Sequence, residues 1–142
     1  MDLPPPAPVP DNVREFLDRQ LYATIATVGA GRAPHQAVIW YRLEPDGRVL
    51  VNSRSPRRWP RELEQERQAS LAFTDLDDPL RWVGLVTVVE EVVHDVALAR
   101  EDIVALAVRY GEDDGESVAA FRTQQRISFR LRIIALADHL DD

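Results

Sequence analysis

Four arginines within eight residues, Arg54, Arg57, Arg58 and Arg61, are the densest concentration of chemistry in this chain. Asn52, Ser53 and Ser55 stand beside them and add hydrogen-bonding side chains. A guanidinium offers a planar fork of N–H donors that matches phosphate and carboxylate oxygens, so this cluster at a helix start suits an anion. The alternative is a solvated helix whose arginines pair with Glu62, Glu64 and Glu66. Other chemistry is scarce. His35, His94 and His139 lie on separate segments, never at ligand spacing, so no metal site is expected. No serine stands in the Gly-x-Ser-x-Gly context of a nucleophile elbow. The acidic stretch Asp75 to Asp78 lacks the glycine and the bidentate glutamate of a calcium loop. There is no cysteine, and all 17 basic side chains are arginine. Thiolates, disulfides, Schiff-base lysines and P-loop lysines are therefore excluded. No residue is marked as catalytic by its type and spacing. Trp40, Trp59 and Trp82 either flank a planar ligand or fill the core.

The chain that positions these groups has 142 residues, enough for one domain with a sizeable core. Its 17 basic against 24 acidic side chains give a net charge of -7, which argues against a general grip on nucleic acid or on an anionic membrane. The longest strongly apolar stretch, Val83 to Val89, falls far short of the roughly 20 residues of a membrane span. The first residues lack the basic start and apolar run of a signal peptide, so a soluble, cytoplasmic protein is expected. Residues 1–10, which hold five of the ten prolines, are expected to form an extended, mobile arm, and residues 11–142 a single domain.

Asp11 is expected to cap a short amphipathic helix carrying Val13, Phe16 and Leu17. Tyr22 to Val28, Pro34 to Leu43 and Arg48 to Asn52 then read as a three-stranded meander, with Glu44-Pro45-Asp46-Gly47 as its second turn. A helix from Arg61 to Arg67, a strand from Ala69 to Thr74 and a long strand from Arg81 to about His94 follow. A second helix starts near Asp95, Ser117 caps another helical turn, and the last strand runs from Arg126 to Ala137. In it Ile127, Phe129, Leu131 and Ile133 alternate with Ser128, Arg130 and Arg132. Six antiparallel strands with short connecting helices make a mainly β (α+β) fold and suit a small barrel with a filled interior, so any ligand belongs on the outer wall.

The order of these pieces resembles the pyridoxamine 5'-phosphate oxidase-like split β-barrels, above all the actinobacterial branch that uses flavin mononucleotide (FMN) or the deazaflavin F420. Tyr22 to Thr27 is similar to that family's opening strand, and Arg32 to Tyr41 to its second. Asn52 to Leu63 resembles its phosphate-binding connector, and Ala69 to Phe73 the strand that follows. Asp75 to Val83, with Trp82, is similar to the loop and strand that reach toward a partner subunit. Arg109-Tyr110-Gly111 and Gln125 to Arg130 resemble the closing pieces. The resemblance spans residues 13 to 137 and implies a six-stranded, FMN-binding-like split barrel. It further implies a homodimer with two cofactor sites at the interface. Ser53, Arg57 and Arg58 would meet the cofactor phosphate, Asn52 would stand beside them in the cofactor site, and the ring would lie along Gln36, Ala37, Val38 and Ile39. Trp82, with Gln124 or Arg126, would come from across the interface. The implied activity is hydride transfer between the cofactor and a small conjugated substrate, chemistry that needs no protein acid–base dyad. F420 carries an anionic oligoglutamate tail that the arginine cluster could also steer, which puts F420 before FMN. The alternative is a split barrel that binds such a cofactor, or haem, without turnover. The family's connector lysine is replaced here by Arg57 or Arg58, a frequent asparagine by Glu62, and a frequent glycine by Thr87.

Overall fold

A computed structural model describes residues 2–141. Helix α1 spans Asp11–Leu17, followed by strands β1 (Ala23–Val28), β2 (Pro34–Ile39), β3 (Arg42–Leu43) and β4 (Val49–Arg54). Helix α2 (Arg58–Glu66), β5 (Gln68–Thr74) and β6 (Trp82–Val93) come next. Helices α3 (Val96–Tyr110) and α4 (Gly115–Phe121) precede the last strand, β7 (Arg126–His139). The seven strands form one antiparallel sheet in the order β2-β1-β5-β6-β7-β4-β3.

The expected meander is corrected here. Pro34 to Leu43 is not one strand but two, broken at Trp40 and Tyr41, which raises the count from six to seven. The two pieces pair at opposite edges of the sheet, β2 on β1 and β3 on β4. Laid flat, seven strands about 4.8 Å apart would hold those edges about 29 Å from each other. Three Cα steps reach at most about 11 Å. The sheet must therefore curl until its edges meet, and the break at Trp40-Tyr41 closes the barrel. Tyr41 is fully buried at that junction and its hydroxyl donates to the Leu17 carbonyl at 2.7 Å.

Side chains fill the interior. Tyr41, Phe73, Phe129, Leu71, Leu85 and Leu131 are buried there, and Trp59 joins them, so this tryptophan is core. One face of β7 supplies Phe129, Leu131 and Ile133 to that core, as its alternation predicts. The other face is covered by α3, where Arg130 reaches Asp102. Asp95 caps α3 by accepting from the Ala97 and Leu98 N–H groups, and Gly111 ends it with a left-handed φ of 70°. Two other helix starts differ from expectation. Pro10, not Asp11, precedes α1, and α4 is capped by Asp114, which accepts from the Ser117 N–H. No helix among the described residues is long and apolar enough to cross a membrane.

The proline arm is docked rather than loose. The Ala7 N–H donates to the Ile133 carbonyl at 2.8 Å, and Arg132 donates to the Pro4 carbonyl at 2.9 Å. Strand β4 pairs with β7 only as far as Leu131, which leaves the Ile133 carbonyl without a strand partner on that side. The arm takes its place, and Ala7 and Val9 pack against the core.

Asp75 pins the loop between β5 and β6. Its carboxylate accepts from Arg19 at 3.1 Å and from Arg81 at 2.6 Å, and it also takes the Asp77 and Asp78 N–H groups. The hydrogen bond from Arg19, first among these contacts, holds its pKa well below the ordinary 3.8. A depressed folded-state pKa means that this stabilisation is fully present above about pH 4 and drains as pH falls from there toward the folded value. Asp75→Asn is therefore expected to lower Tm at pH 7 and to flatten the acid limb of the Tm–pH curve below pH 4. A scan of thermal unfolding from pH 2 to 7 checks both effects.

Candidate functional site

The register between β4 and β7 sets Arg54 opposite Arg126, seventy-two positions away in the chain. Arg126 is 5% exposed and its Nε donates to Asn52 Oδ1 at 2.9 Å. One of its terminal nitrogens donates to Gln124 Oε1 at 2.8 Å. Phe121 covers one face of the guanidinium, with its ring centroid 5.6 Å away. Among the described residues no carboxylate pairs with Arg126, nor with Arg54, Arg57 or Arg61. Burial, and then the nearby charges of Arg57 and Arg54, push the pKa of Arg126 down to about 10. It stays charged at neutral pH, and a buried cation among cations is costly unless an anion completes it.

Two clefts meet at this pair, and both Arg57 and Arg126 line each of them. The first, about 360 Å³, runs along α2 and adds Ser55, Arg61, Glu64 and His94. His94 lies 3.2 Å from Glu64. The second, about 380 Å³, lies between β2, α3 and α4 and adds Tyr22, Val38, Trp40, Ile103 and Phe121. A third groove, about 370 Å³, runs over the outer face of the sheet, where Gln36 and Trp82 share it with Ala72, Gly84 and Val86. Trp82 stacks on His139 at 4.4 Å, and Gly84 leaves room for it, since a Cβ there would come within 2.9 Å of the indole.

The expected site residues therefore separate. Val38, Ile39, Asn52, Arg57 and Arg126 line one cleft. Gln36 points with Val38 to the same side of β2, by alternation, and faces the sheet groove beside Trp82. Ala37 packs against the barrel core instead. Ser53 is fully buried on the core face of β4, and its hydroxyl has no hydrogen-bond partner among the described residues. Gln124 meets Arg126 rather than the clefts. Arg126 lies beside Arg57 of its own chain, because β4 and β7 are neighbours in one barrel.

Arg58 is engaged elsewhere. Helix α2 starts at Arg58, three residues before the expected Arg61, and so Trp59 and Pro60 fall in its first turn, where a missing N–H costs little. At helical spacing Arg57, Arg61 and Glu64 then share the cleft side, while Arg58 and Glu62 face β1. Glu62 accepts from Arg58 Nε at 3.0 Å and from the Thr27 hydroxyl at 2.9 Å. Chiefly through the Arg58 bond its pKa is lowered. Of the three pairings expected for a solvated helix, this one forms, while Glu64 turns to His94.

The comparisons with known proteins agree with this architecture. Residues 9–135 match the family described as pyridoxamine 5'-phosphate oxidase. The chain belongs to that family. A search of curated proteins finds no match. Among solved structures, an F420 reductase superposes with a TM-score of 0.75 at 21% identity, covering 91% of this chain and 98% of that one. A conserved hypothetical protein from Mycobacterium tuberculosis gives 0.73 at 19% identity, covering 94% and 87%. HutZ, the haem storage protein from Vibrio cholerae, gives 0.70 at 21% identity, covering 93% and 95%. At these identities the pyridoxamine 5'-phosphate oxidase-like fold is what the structures share. Membership accounts for the split barrel and for the connector after β4. The residues whose signal lay outside the arginine cluster are Tyr22, Trp40, Phe121 and His94, which only the three-dimensional closure brings to the clefts.

Proposed function

We propose that this protein is an oxidoreductase that binds F420, or failing that FMN, and transfers hydride between it and a small conjugated substrate. The observation that carries this reading is the buried, carboxylate-free Arg126 beside Arg57, which provides a desolvated anchor for a phosphate. Arg54 and Arg61 extend the positive field along α2, and that extension favours a cofactor with further negative charge over a mononucleotide. Arg58, neutralised by Glu62, is left out of this anchor, and Asn52 serves it by orienting Arg126.

The ring would lie along the outward face of β2 at Gln36 and Val38, and the cofactor supplies the hydride chemistry when bound. What the chain contributes is binding and exclusion of water. Val38 is 72% exposed and Val86 48%, so the outer wall carries apolar surface that a second copy of the chain would cover in a homodimer. A cytoplasmic setting fits the absence of cysteine. The second reading, a haem or cofactor binder without turnover, draws on His94 in the α2 cleft and on the fold shared with HutZ.

The test is a side-by-side equilibrium titration with F420, FMN and haemin, followed by fluorescence and absorbance. Saturable binding of F420 or FMN that weakens as salt is raised and is lost in Arg57→Glu supports the oxidoreductase reading. Binding of haemin alone, with a Soret shift abolished in His94→Ala, overturns it in favour of the second.

A further inference from the structure

Given the cofactor reading above, on which this rests, we infer that Glu62 is a positioning residue that sets the span between the phosphate anchor and the ring-bearing wall of β2. Its side chain lines neither of the two clefts that meet at Arg57 and Arg126. Two bodies must be held in register for one molecule to reach both. The first is the β1–β2 hairpin, whose outer face carries Gln36 and Val38. The second is the start of α2, where Arg57 stands beside Arg126. The connector before α2 is fixed to the start of β7, since the Ser55 N–H donates to the Gln125 carbonyl at 3.0 Å. On the hairpin side, among the described residues, a single hydrogen bond joins α2 to β1 or β2. The Thr27 hydroxyl donates to Glu62 Oε1 at 2.9 Å. Thr27 stands opposite His35, next to Gln36, and points inward. The tie therefore holds the hairpin from beneath and leaves Gln36 and Val38 facing out.

The seat is built for a carboxylate. Glu62 and Thr27 are both buried. A Cβ on Gly29 would collide with Glu62 Oε2, so the glycine leaves the room that the carboxylate fills. Arg58, one helical turn earlier, donates its Nε to that same oxygen at 3.0 Å and balances the charge. A buried carboxylate near the anchor would otherwise repel an anion; paired in this way it is neutralised, at the cost of holding Arg58 away from the cleft. Trp59 and Leu63 already root α2 in the core, so what Glu62 adds is the placement of the helix against the hairpin. A ring and a phosphate on one molecule outbind the separate pieces only where their two sites are held at the matching separation.

The experiment compares joined ligands with their parts by titration of the full chain. F420 is set against its phosphate-free deazaflavin ring, FMN against riboflavin, and inorganic phosphate is measured alone. Glu62→Ala and Thr27→Val are each expected to weaken the joined cofactor by about tenfold or more, while the free rings and inorganic phosphate stay within about twofold. Glu62→Gln keeps an oxygen for the Thr27 hydroxyl and is expected to return the joined cofactor to within about threefold of the native protein. A side chain that only stabilised the fold would not divide the ligands in this way. Weakening of the joined cofactor and its parts together, or an unchanged cofactor affinity in Glu62→Ala, overturns the inference and leaves the cofactor reading intact. A native protein that binds neither cofactor removes both.

Discussion

Arg126→Met is expected to weaken cofactor binding about a hundredfold, on the order of 2.7 kcal/mol, while changing Tm by no more than a few degrees. The asymmetry follows from the environment of the guanidinium. It is buried, it has no carboxylate, and Arg54 and Arg57 repel it. Removing such a charge relieves the cost of holding it desolvated. Against that gain stand the lost hydrogen bonds to Asn52 and Gln124, so the net effect on folding is small. In the proposed complex, by contrast, the same group would face an anion in a water-poor setting, where a charge-assisted bond is strong. Arg58→Met is the control, expected to cost less than tenfold because Glu62 already holds that side chain. Titrations and melting curves on both variants decide the matter. If affinity and Tm fall together in Arg126→Met, the residue is structural.

Val86→Arg is expected to produce monomers and to abolish cofactor binding in the same step. Val86 lies in the outer sheet groove with Trp82, and it is 48% exposed. Ala72, Gly84, Ala135 and Ala137 around it are small, so the surface is smooth, and its polar side chains, Thr24, Gln36 and Ser70, carry no negative charge to offset a new cation. A guanidinium placed where two copies of this face would meet must lose its water without gaining an anionic partner, a cost of several kcal/mol. Light scattering coupled to size-exclusion chromatography reads the first effect, and F420 fluorescence the second. A variant that remains dimeric would show that this face is not the interface. A monomer that still binds cofactor would show that the site is complete within one chain.

Much of the fold is legible in the residues, and its failures have a common physical source. The Glu44–Gly47 turn, the helix start near Asp95 and the two faces of β7 are local matters of propensity and period, and each stands as expected. The break at Trp40-Tyr41 is different. A run of β-branched and aromatic residues reads as one strand, and only closure of the barrel requires it to serve both edges of the sheet. The site shows the same division. The arginine cluster stands out from its spacing, yet which arginines face the ligand depends on where α2 starts. With the helix begun at Arg61, Arg57 and Arg58 look alike; begun at Arg58, they point to different sides. Arg126 enters through the resemblance, because its proximity to Arg57 depends on a strand pairing across seventy-two positions. Ser53 illustrates the reverse, a residue well placed in the sequence whose strand turns it into the core.

On the proposed function, Arg57 and Arg126 of one chain anchor the phosphate of a flavin-type cofactor, and a crystal structure of the protein grown with F420 tests this. The expected result is a phosphate within hydrogen-bonding distance of both guanidinium groups, with the ring over Gln36 and Val38 and Arg58 still on Glu62. A phosphate bound elsewhere, or no cofactor bound at saturating concentration, would contradict it.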